Sequence, residues 1–276
     1  MNRIFSWFYD HQVLGWTIAV VYLIVVSLTH DVVQRPALTL QRTYGVEVVH
    51  FFLIGVLIVL LALMLVLLFK RIVNHQQSRR MIWTGLLWLI LATLVLKFLM
   101  VRSIESIHYF QYMILALMIG ALTRNPLLAA ILAACGGAFD EGWQFFQLHP
   151  RQPYFDFNDT TMNATGALLG VWLYALYRPA SERAWTATRK TLTGWAGVAA
   201  LIAVLFATGA LTVYRQDSGI PLHRRNTPTV EKPVKFFNSN KWGNDWVRLH
   251  PFVGLGILFL IPIGSLIVPK GEDYDQ

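Results

Sequence analysis

The feature that most constrains this chain is a mostly apolar run of 24 residues, VEVVHFFLIGVLIVLLALMLVLLF, at residues 46–69. A helix needs about 20 mostly apolar residues to cross the hydrocarbon layer of a bilayer, so this run is long enough to span a membrane. Seven further runs of similar character lie near residues 12–29, 81–100, 103–122, 127–147, 159–177, 192–213 and 251–268. The sequence therefore predicts an all-α, polytopic transmembrane helical bundle of about eight spans.

The composition favours a bilayer over water as the solvent of the chain. The 276 residues are 55% hydrophobic and only 14% charged, whereas about 25% of the residues of an ordinary soluble domain are charged. This balance excludes a soluble enzyme, and the apolar content excludes a disordered chain. Cys135 is the single cysteine, which excludes an intramolecular disulfide, and we expect its side chain to be buried in mid-span.

The basic residues of the short loops predict the orientation of the chain. Two loops, after the second and the sixth span, each carry four basic residues: Lys70, Arg71, Arg79 and Arg80, and Arg178, Arg183, Arg189 and Lys190. Because cytoplasmic loops are enriched in lysine and arginine, both loops and both chain termini are predicted to be cytoplasmic. The basic, aromatic loop near 214–250 does not follow this rule, because it is rich in lysine and arginine and this topology nevertheless places it outside. The net charge of +8 is then explained by the basic loops that set the membrane orientation, and we expect no nucleic-acid partner.

Several polar side chains lie inside or at the ends of the predicted spans, where an ionised group is costly unless it is paired or hydrated. They are Glu47, His50, Lys97, Glu105, His108, Tyr112, Asp140, Glu141, Gln144, Asp159 and Asn163. Since successive spans alternate in direction, all of these residues are expected at the same, outer, side of the membrane. The sequence therefore predicts one polar site near the outer surface.

Some of these residues have a simpler interpretation than a site. Lys97 is expected to extend its ammonium group to the interface, and Glu47 with His50 is expected to form the hydrated first turn of a helix. Gly166 and Gly170 follow Asp159 and Asn163 on one stripe and would let a neighbouring helix approach closely. The pair Asp140 and Glu141, with Gln144 on the same face, has no such structural role. A functional site is therefore predicted there.

An ordered set of motifs covers residues 105–177. It consists of Glu105-x-x-His108-Tyr109-Phe110-x-Tyr112, Phe139-Asp140-Glu141-x-x-Gln144, Arg151, Tyr154-Phe155-Asp156-Phe157-Asn158-Asp159, Asn163, Gly166 and Gly170. In order and residue type this set resembles the VanZ-like family of integral membrane proteins. Many members have a lysine at the position of Glu105. The resemblance divides the chain into an N-terminal membrane region at 1–102, a VanZ-like core at 103–177 and a C-terminal region at 178–276.

The resemblance implies a multi-pass protein of the bacterial inner membrane, in a family named for reduced susceptibility to the glycopeptide teicoplanin. Together with the polar residues, it leads to the hypothesis of a site that binds or acts on an amphipathic or lipid-linked envelope molecule. His108, Asp140, Glu141 and Asp159 would transfer protons or stabilise charge. Glu105, Tyr112, Gln144, Arg151, Asp156 and Asn163 would bind or orient the ligand, with Arg151 contacting a phosphate or carboxylate head group.

Other interpretations remain open at this point. The elements Glu47-x-x-His50 and Glu105-x-x-His108, with Asp140 and Asp159 from two other spans, are similar to the ligand set of carboxylate-bridged metal bundles. Glu-x-x-His spacings at helix starts are, however, common by chance. We therefore expect no metal and no cofactor. A non-enzymatic module that binds membrane lipids or a protein partner is the main alternative, and proton-coupled transport is a weaker one.

Overall fold

The computed structural model describes residues 2–75, 79–100, 103–147, 156–177, 189–208, 238–239, 245–246, 249 and 251–267. Its α-helices are α1 (Asn2–Asp10), α2 (Gln12–Tyr44), α3 (Val46–His75), α4 (Arg79–Leu99), α5 (Ile107–Thr123), α6 (Pro126–Gln147), α7 (Phe157–Tyr177), α8 (Arg189–Ala207) and α9 (Pro251–Leu260). Short 3-10 helices precede α5 (Ser103–Ser106) and follow α9 (Ile261–Ile267). The strands β1 (Asn238–Ser239) and β2 (Asp245–Trp246) form a small antiparallel pair.

Most helices occupy the positions of the predicted apolar runs, but α1 matches no predicted run and α3 continues past residue 69 to His75. The first and last runs also differ. Helix α2 is longer than its apolar run and continues through Pro36 to Tyr44. The last run is divided, because α9 ends at Leu260 and the chain continues as a 3-10 helix. Pro262 lies at this change and lacks the backbone N–H that an α-helix would use there.

Three of the described helices are long and apolar enough to cross a membrane, at Gln12–Thr29, Met81–Leu99 and Ile104–Thr123. Two shorter apolar stretches lie at Glu47–Val56 and Val253–Ile267. An all-α fold compatible with a membrane is thereby confirmed, while the total of eight spans and the orientation stay predictions. Exposed apolar side chains such as Phe51, Phe69 and Trp83 on the helix surfaces agree with lipid contact.

Helix α7 lies at the centre of the bundle. It contacts α4, α5, α6, α9 and the 3-10 helix that follows α9, and nearly all of its side chains are buried. A helix enclosed by protein does not face lipid, so α7 can carry the polar residues that make it less apolar than a typical span. This central position places Asp159 and Asn163 inside the bundle.

Two glycines of α7 allow α5 to lie against it. A Cβ atom on Gly166 would be 2.6 Å from the carbonyl oxygen of Tyr109, and one on Gly170 would meet the carbonyl oxygen of Met113. The predicted close helix approach at these glycines is confirmed. One turn before Gly166, the side chain of Asn163 faces Gly137 of α6. The three helices that carry the predicted site are therefore packed closely together.

Buried polar side chains connect α7 to the elements around it. The amide of Asn158 donates to the carbonyl of Leu99 at 3.0 Å and accepts from the N–H of Leu249 at 3.0 Å. Trp172 donates its indole N–H to the carbonyl of Met81 at 3.0 Å. These bonds satisfy main-chain groups at α4 and just before α9, and they fix the position of α7 along its axis.

The expectation that Cys135 is buried is wrong, because its side chain is exposed on α6. Its neighbours Ala134, Gly136 and Gly137 are the buried ones. A uniformly apolar run does not reveal which face of a helix turns inward when lipid is as apolar as the protein interior. The predicted domain boundaries at 102 and 177 stay predictions.

Candidate functional site

The candidate site lies where the start of α5, the second half of α6 and the start of α7 meet. His108 is in the first turn of α5, Glu141 is in α6 and Asp159 is in the first turn of α7. The Nε2 atom of His108 is 3.6 Å from Oδ2 of Asp159. One nitrogen or carboxylate oxygen from each of His108, Glu141 and Asp159 lies within 4.8 Å of the other two. Three helices thus each supply one ionisable group.

Asp140 completes what we name the acid–base cluster, which consists of His108, Asp140, Glu141 and Asp159. The side chains of His108, Asp140 and Glu141 are buried, and that of Asp159 is 13% exposed. Asp140 and Glu141 both lie close enough to Asp159 for their charges to interact with it. In a water-poor interior such interactions are only weakly screened. The carboxyl groups of the cluster therefore interact with one another, and Asp159 is its most exposed member.

A second layer of residues orients the cluster. Gln144 donates its amide N–H to Oε1 of Glu141 at 3.2 Å, one turn along α6. The hydroxyl group of Tyr112, on α5, faces the carboxyl group of Asp140. Glu105 lies in the 3-10 helix before α5, and its charge also reaches Asp159. Each of these predicted binding residues is thus next to one member of the cluster.

Asp156 has a clear structural function at the start of α7. The backbone N–H groups of Asn158 and Asp159 donate to its Oδ1 atom at 2.9 and 3.4 Å. This is the hydrogen bonding of a helix N-cap, which satisfies main-chain donors that the first turn cannot satisfy itself. Asp156 therefore fixes where α7 begins and, with it, the position of Asp159.

Asn163 lies one turn after Asp159, at the contact between α6 and α7. Its amide nitrogen donates to the carbonyl of Gly137 at 3.3 Å. Its Oδ1 atom is buried and has no hydrogen-bond partner within the part of the chain that the structure describes. The α6–α7 contact therefore holds one unsatisfied acceptor beside the acid–base cluster.

Lys97 and Glu47 lie apart from this cluster. Lys97 is exposed, with its ammonium group 5.5 Å from the centre of the Phe98 ring. Glu47 is exposed at the start of α3. Arg151 and the side chain of His50 lie outside the described residues. The helix-end interpretations of Lys97 and Glu47 agree with these positions.

An apolar cavity of about 380 Å³ lies between α3, α4 and α5, and none of the cluster residues lines it; it was not predicted from the sequence. It is lined by Ile54, Ile58, Leu89, Ala92, Thr93, Leu96, Lys97, Met100, Ser106, Tyr109, Phe110, Met113 and Leu169. Ser106 and Tyr109 flank His108 in the sequence. We name this space the α4–α5 cavity. No sequence signal predicts it, because it depends on how α3, α4 and α5 are rotated and spaced.

The arrangement is suited to proton transfer and to binding a polar group. A carboxylate beside an imidazole orients the ring and stabilises its protonated form, as in many acid–base sites. Carboxylate oxygens and an imidazole nitrogen are also ligands for divalent metals. The α4–α5 cavity, on a different face of α5 from His108, offers space for a hydrocarbon chain. The site thus combines polar chemistry with an apolar binding space.

Comparison with known proteins adds no relative to this description. No protein-family model matches the chain, and neither the curated proteins nor the solved structures give a match. The resemblance to the VanZ-like family accordingly rests on the motifs within residues 105–177 and stays a proposal.

Proposed function

We propose that this chain is a bacterial inner-membrane protein that binds or acts on an amphipathic, lipid-linked envelope molecule at the acid–base cluster. The observation that carries the proposal is the contact of His108 with Asp159, at 3.6 Å, beside Glu141 from a third helix. Ionisable groups enclosed in a membrane bundle are costly and mark functional sites by default. The motifs that resemble the VanZ-like family contain all three residues.

The amphipathic character of the ligand follows from the two different surfaces of the site. The α4–α5 cavity is lined mainly by aliphatic and aromatic side chains and has a volume of about 380 Å³. Lys97 lines the same cavity and is exposed. A hydrocarbon tail in this cavity would bring its head group to the level of Ser106 and His108. A lipid-linked molecule fits this arrangement, since its tail needs an apolar space and its head group a polar one.

The cluster residues have distinct functions in this proposal. His108 accepts or donates a proton, with Asp159 orienting its ring and stabilising the imidazolium form. Glu141, held by Gln144, contacts a hydroxyl or amine of the head group. Asp140 and Tyr112 form the wall of the site on the α5 and α6 side. Arg151 is assigned to the anionic part of the head group.

The experiment is a binding assay on the full chain in lipid nanodiscs. Three fluorescent probes share one polyprenyl tail and end in an alcohol, a phosphate or a sugar phosphate. Glu141→Gln and Asp159→Asn each replace a cluster carboxyl group with an amide of nearly the same shape. Their matched controls are Glu47→Gln and Asp10→Asn, the same changes at exposed positions. Thr93→Trp fills the α4–α5 cavity, and its control is Leu94→Trp at an exposed neighbour outside the cavity lining.

We expect at least one phosphorylated probe to bind more tightly than the alcohol. Loss of a hydrogen bond to a charged group costs about 1.5–3 kcal/mol, so each cluster variant is expected to weaken that binding roughly tenfold or more. Thr93→Trp should weaken the binding of all three probes, and the control variants should bind them as tightly as the unsubstituted chain does. Equal binding by Glu141→Gln, Asp159→Asn and the unsubstituted chain would refute the proposal. Mass spectrometry of the incubated probes then separates binding alone from turnover.

The resemblance also suggests a phenotype. The family is named for reduced susceptibility to teicoplanin, so a bacterial strain expressing the chain is tested against this glycopeptide. The amide variants Glu141→Gln and Asp159→Asn serve as the comparison, with membrane levels of each protein measured by immunoblot. A change in susceptibility that both amide variants abolish would support this extension of the proposal.

A further inference from the structure

The acid–base cluster contains a set of ligand atoms that the proposed proton chemistry does not fully use. His108, Glu141 and Asp159 each offer one nitrogen or oxygen atom, and these three atoms lie within 4.8 Å of one another. They come from three separate helices, so no local sequence spacing brings them together. A mixed set of one imidazole and two carboxylates is chemically different from a simple group of acidic residues, because imidazole is a ligand for transition metals.

The separations are close to those of a metal site. Ligand atoms about 2.0–2.1 Å from a tetrahedral zinc ion are about 3.4 Å from each other. The distance of 3.6 Å between His108 and Asp159 is already near this value. Since the whole set fits within 4.8 Å, a movement of about 1.4 Å or less per pair would complete the geometry. A small side-chain rotation at Glu141 supplies such a movement.

Neighbouring side chains resemble the supporting layer of a metal site. Gln144 donates to Oε1 of Glu141, and ligating carboxylates are commonly held by such hydrogen bonds. Asp156 fixes the first turn of α7 and hence the direction of Asp159. A separate observation is the buried Oδ1 atom of Asn163, one turn from Asp159, which has no hydrogen-bond partner among the residues described. A metal-bound water would be a suitable donor for it.

The local charges also favour a cation. Asp156, Glu105, Glu141 and Asp140 all lie near enough to Asp159 for their charges to act on it. Asp159 and these four carboxyl groups repel one another when ionised. A divalent ion is the most compact charge that relieves this repulsion, and bound cations are often the largest local charge in such a site.

We propose that His108, Glu141 and Asp159 bind one divalent transition-metal ion of the zinc or manganese type at the acid–base cluster. The inference rests on the proposed function, because it concerns the same site. Three protein ligands leave a coordination position open for a water or for a ligand oxygen. A metal there lets a site rich in carboxylates accept an anionic head group. This ligand set shares His108 and Asp159 with the metal alternative considered from the sequence and adds Glu141.

The test is metal binding to the purified full chain in detergent, after removal of any polyhistidine tag and extraction with a chelator. Calorimetry measures the binding of Zn²⁺, Mn²⁺ and Mg²⁺, and elemental analysis after gel filtration gives the stoichiometry. The variants are His108→Ala, Glu141→Gln and Asp159→Asn. Matched controls are His11→Ala, Glu47→Gln and Asp10→Asn, whose side chains are exposed. Circular dichroism without metal verifies that each variant is folded.

We expect about one equivalent of Zn²⁺ or Mn²⁺ per folded chain. Changing a residue that only hydrogen-bonds to a metal-ligating side chain weakens metal binding about 10–100-fold. Each variant of a ligating residue should therefore weaken metal binding at least as much. The control variants should bind like the unsubstituted chain. Absence of stoichiometric Zn²⁺ and Mn²⁺ binding, or equal binding by the ligand variants, would overturn the inference. If lipid probes still bind in that case, the proposed function stands without a metal; if metal binds and no lipid probe does, only the proposed function fails.

Discussion

The most informative single change for the packing of the site is Gly166→Ala. Gly166 faces the backbone of Tyr109, the residue next to His108. A Cβ atom there would be 2.6 Å from the Tyr109 carbonyl oxygen and 2.9 Å from its Cα. Both are main-chain atoms, so no side-chain rotation relieves the overlap. Helices α5 and α7 must instead move apart.

The size of this movement follows from the contact distances. Restoring an ordinary separation of about 3.4 Å at the Tyr109 carbonyl requires α5 and α7 to move apart by about 0.8 Å. The distance between His108 and Asp159 would increase from 3.6 Å by a similar amount. Overpacking of this kind costs typically about 1–3 kcal/mol. At about 2–4 °C per kcal/mol, the apparent Tm should fall by roughly 2–12 °C.

The assay is thermal unfolding of the purified chain, followed by tryptophan fluorescence, together with binding of the phosphorylated polyprenyl probe. Gly194→Ala is the matched control, because a Cβ atom on Gly194 in α8 has no atom within 4 Å. Alanine favours a helix over glycine, so the control should unfold at the same temperature or higher. The reasoning fails if Gly166→Ala unfolds at the same temperature as the control and binds the probe equally well.

Three further predictions concern the support and the surface of the site. Asp156→Ala removes the cap of α7 and should lower stability by about 0.5–2 kcal/mol in thermal unfolding, whereas Asp156→Ser should retain most of it; equal losses would contradict the capping function. Asn158→Leu leaves the Leu99 carbonyl and the Leu249 N–H without their partner, so unfolding should show a loss of about 1–3 kcal/mol for each group. Cys135 is exposed on α6 and is expected to face lipid, where a thiolate does not form. A water-soluble maleimide should therefore label Cys135 in detergent-denatured protein and leave it unlabelled in nanodiscs, and rapid labelling in nanodiscs would show that this face is hydrated.

The sequence predicts much of the helical framework, because long apolar runs with polar interruptions define their own limits. The stripe of Asp159, Asn163, Gly166 and Gly170 follows from helical spacing, and the structure uses its glycines for the contact with α5. The proximity of Gln144 and Glu141 follows from the same spacing. These features are local to one helix, and helical periodicity is enough to derive them.

Relations between helices could not be derived in the same way. Asp140 and Glu141 are adjacent, so they point about 100° apart around α6. Sequence spacing does not decide which of them joins His108 and Asp159 in the set of three; the packing of Gly137 against Asn163 sets that rotation. The same limitation explains the error at Cys135 and the unpredicted α4–α5 cavity. Both depend on which face of an apolar helix turns toward its neighbours.

The central claim is that His108, Glu141 and Asp159 form one site for an amphipathic ligand. Cryo-electron microscopy of the chain in nanodiscs, with the phosphorylated polyprenyl probe bound, tests this most directly. The proposal predicts tail density in the α4–α5 cavity and a head group in contact with His108 or Asp159. Head-group density elsewhere, or Glu141 facing lipid away from His108 and Asp159, would contradict it.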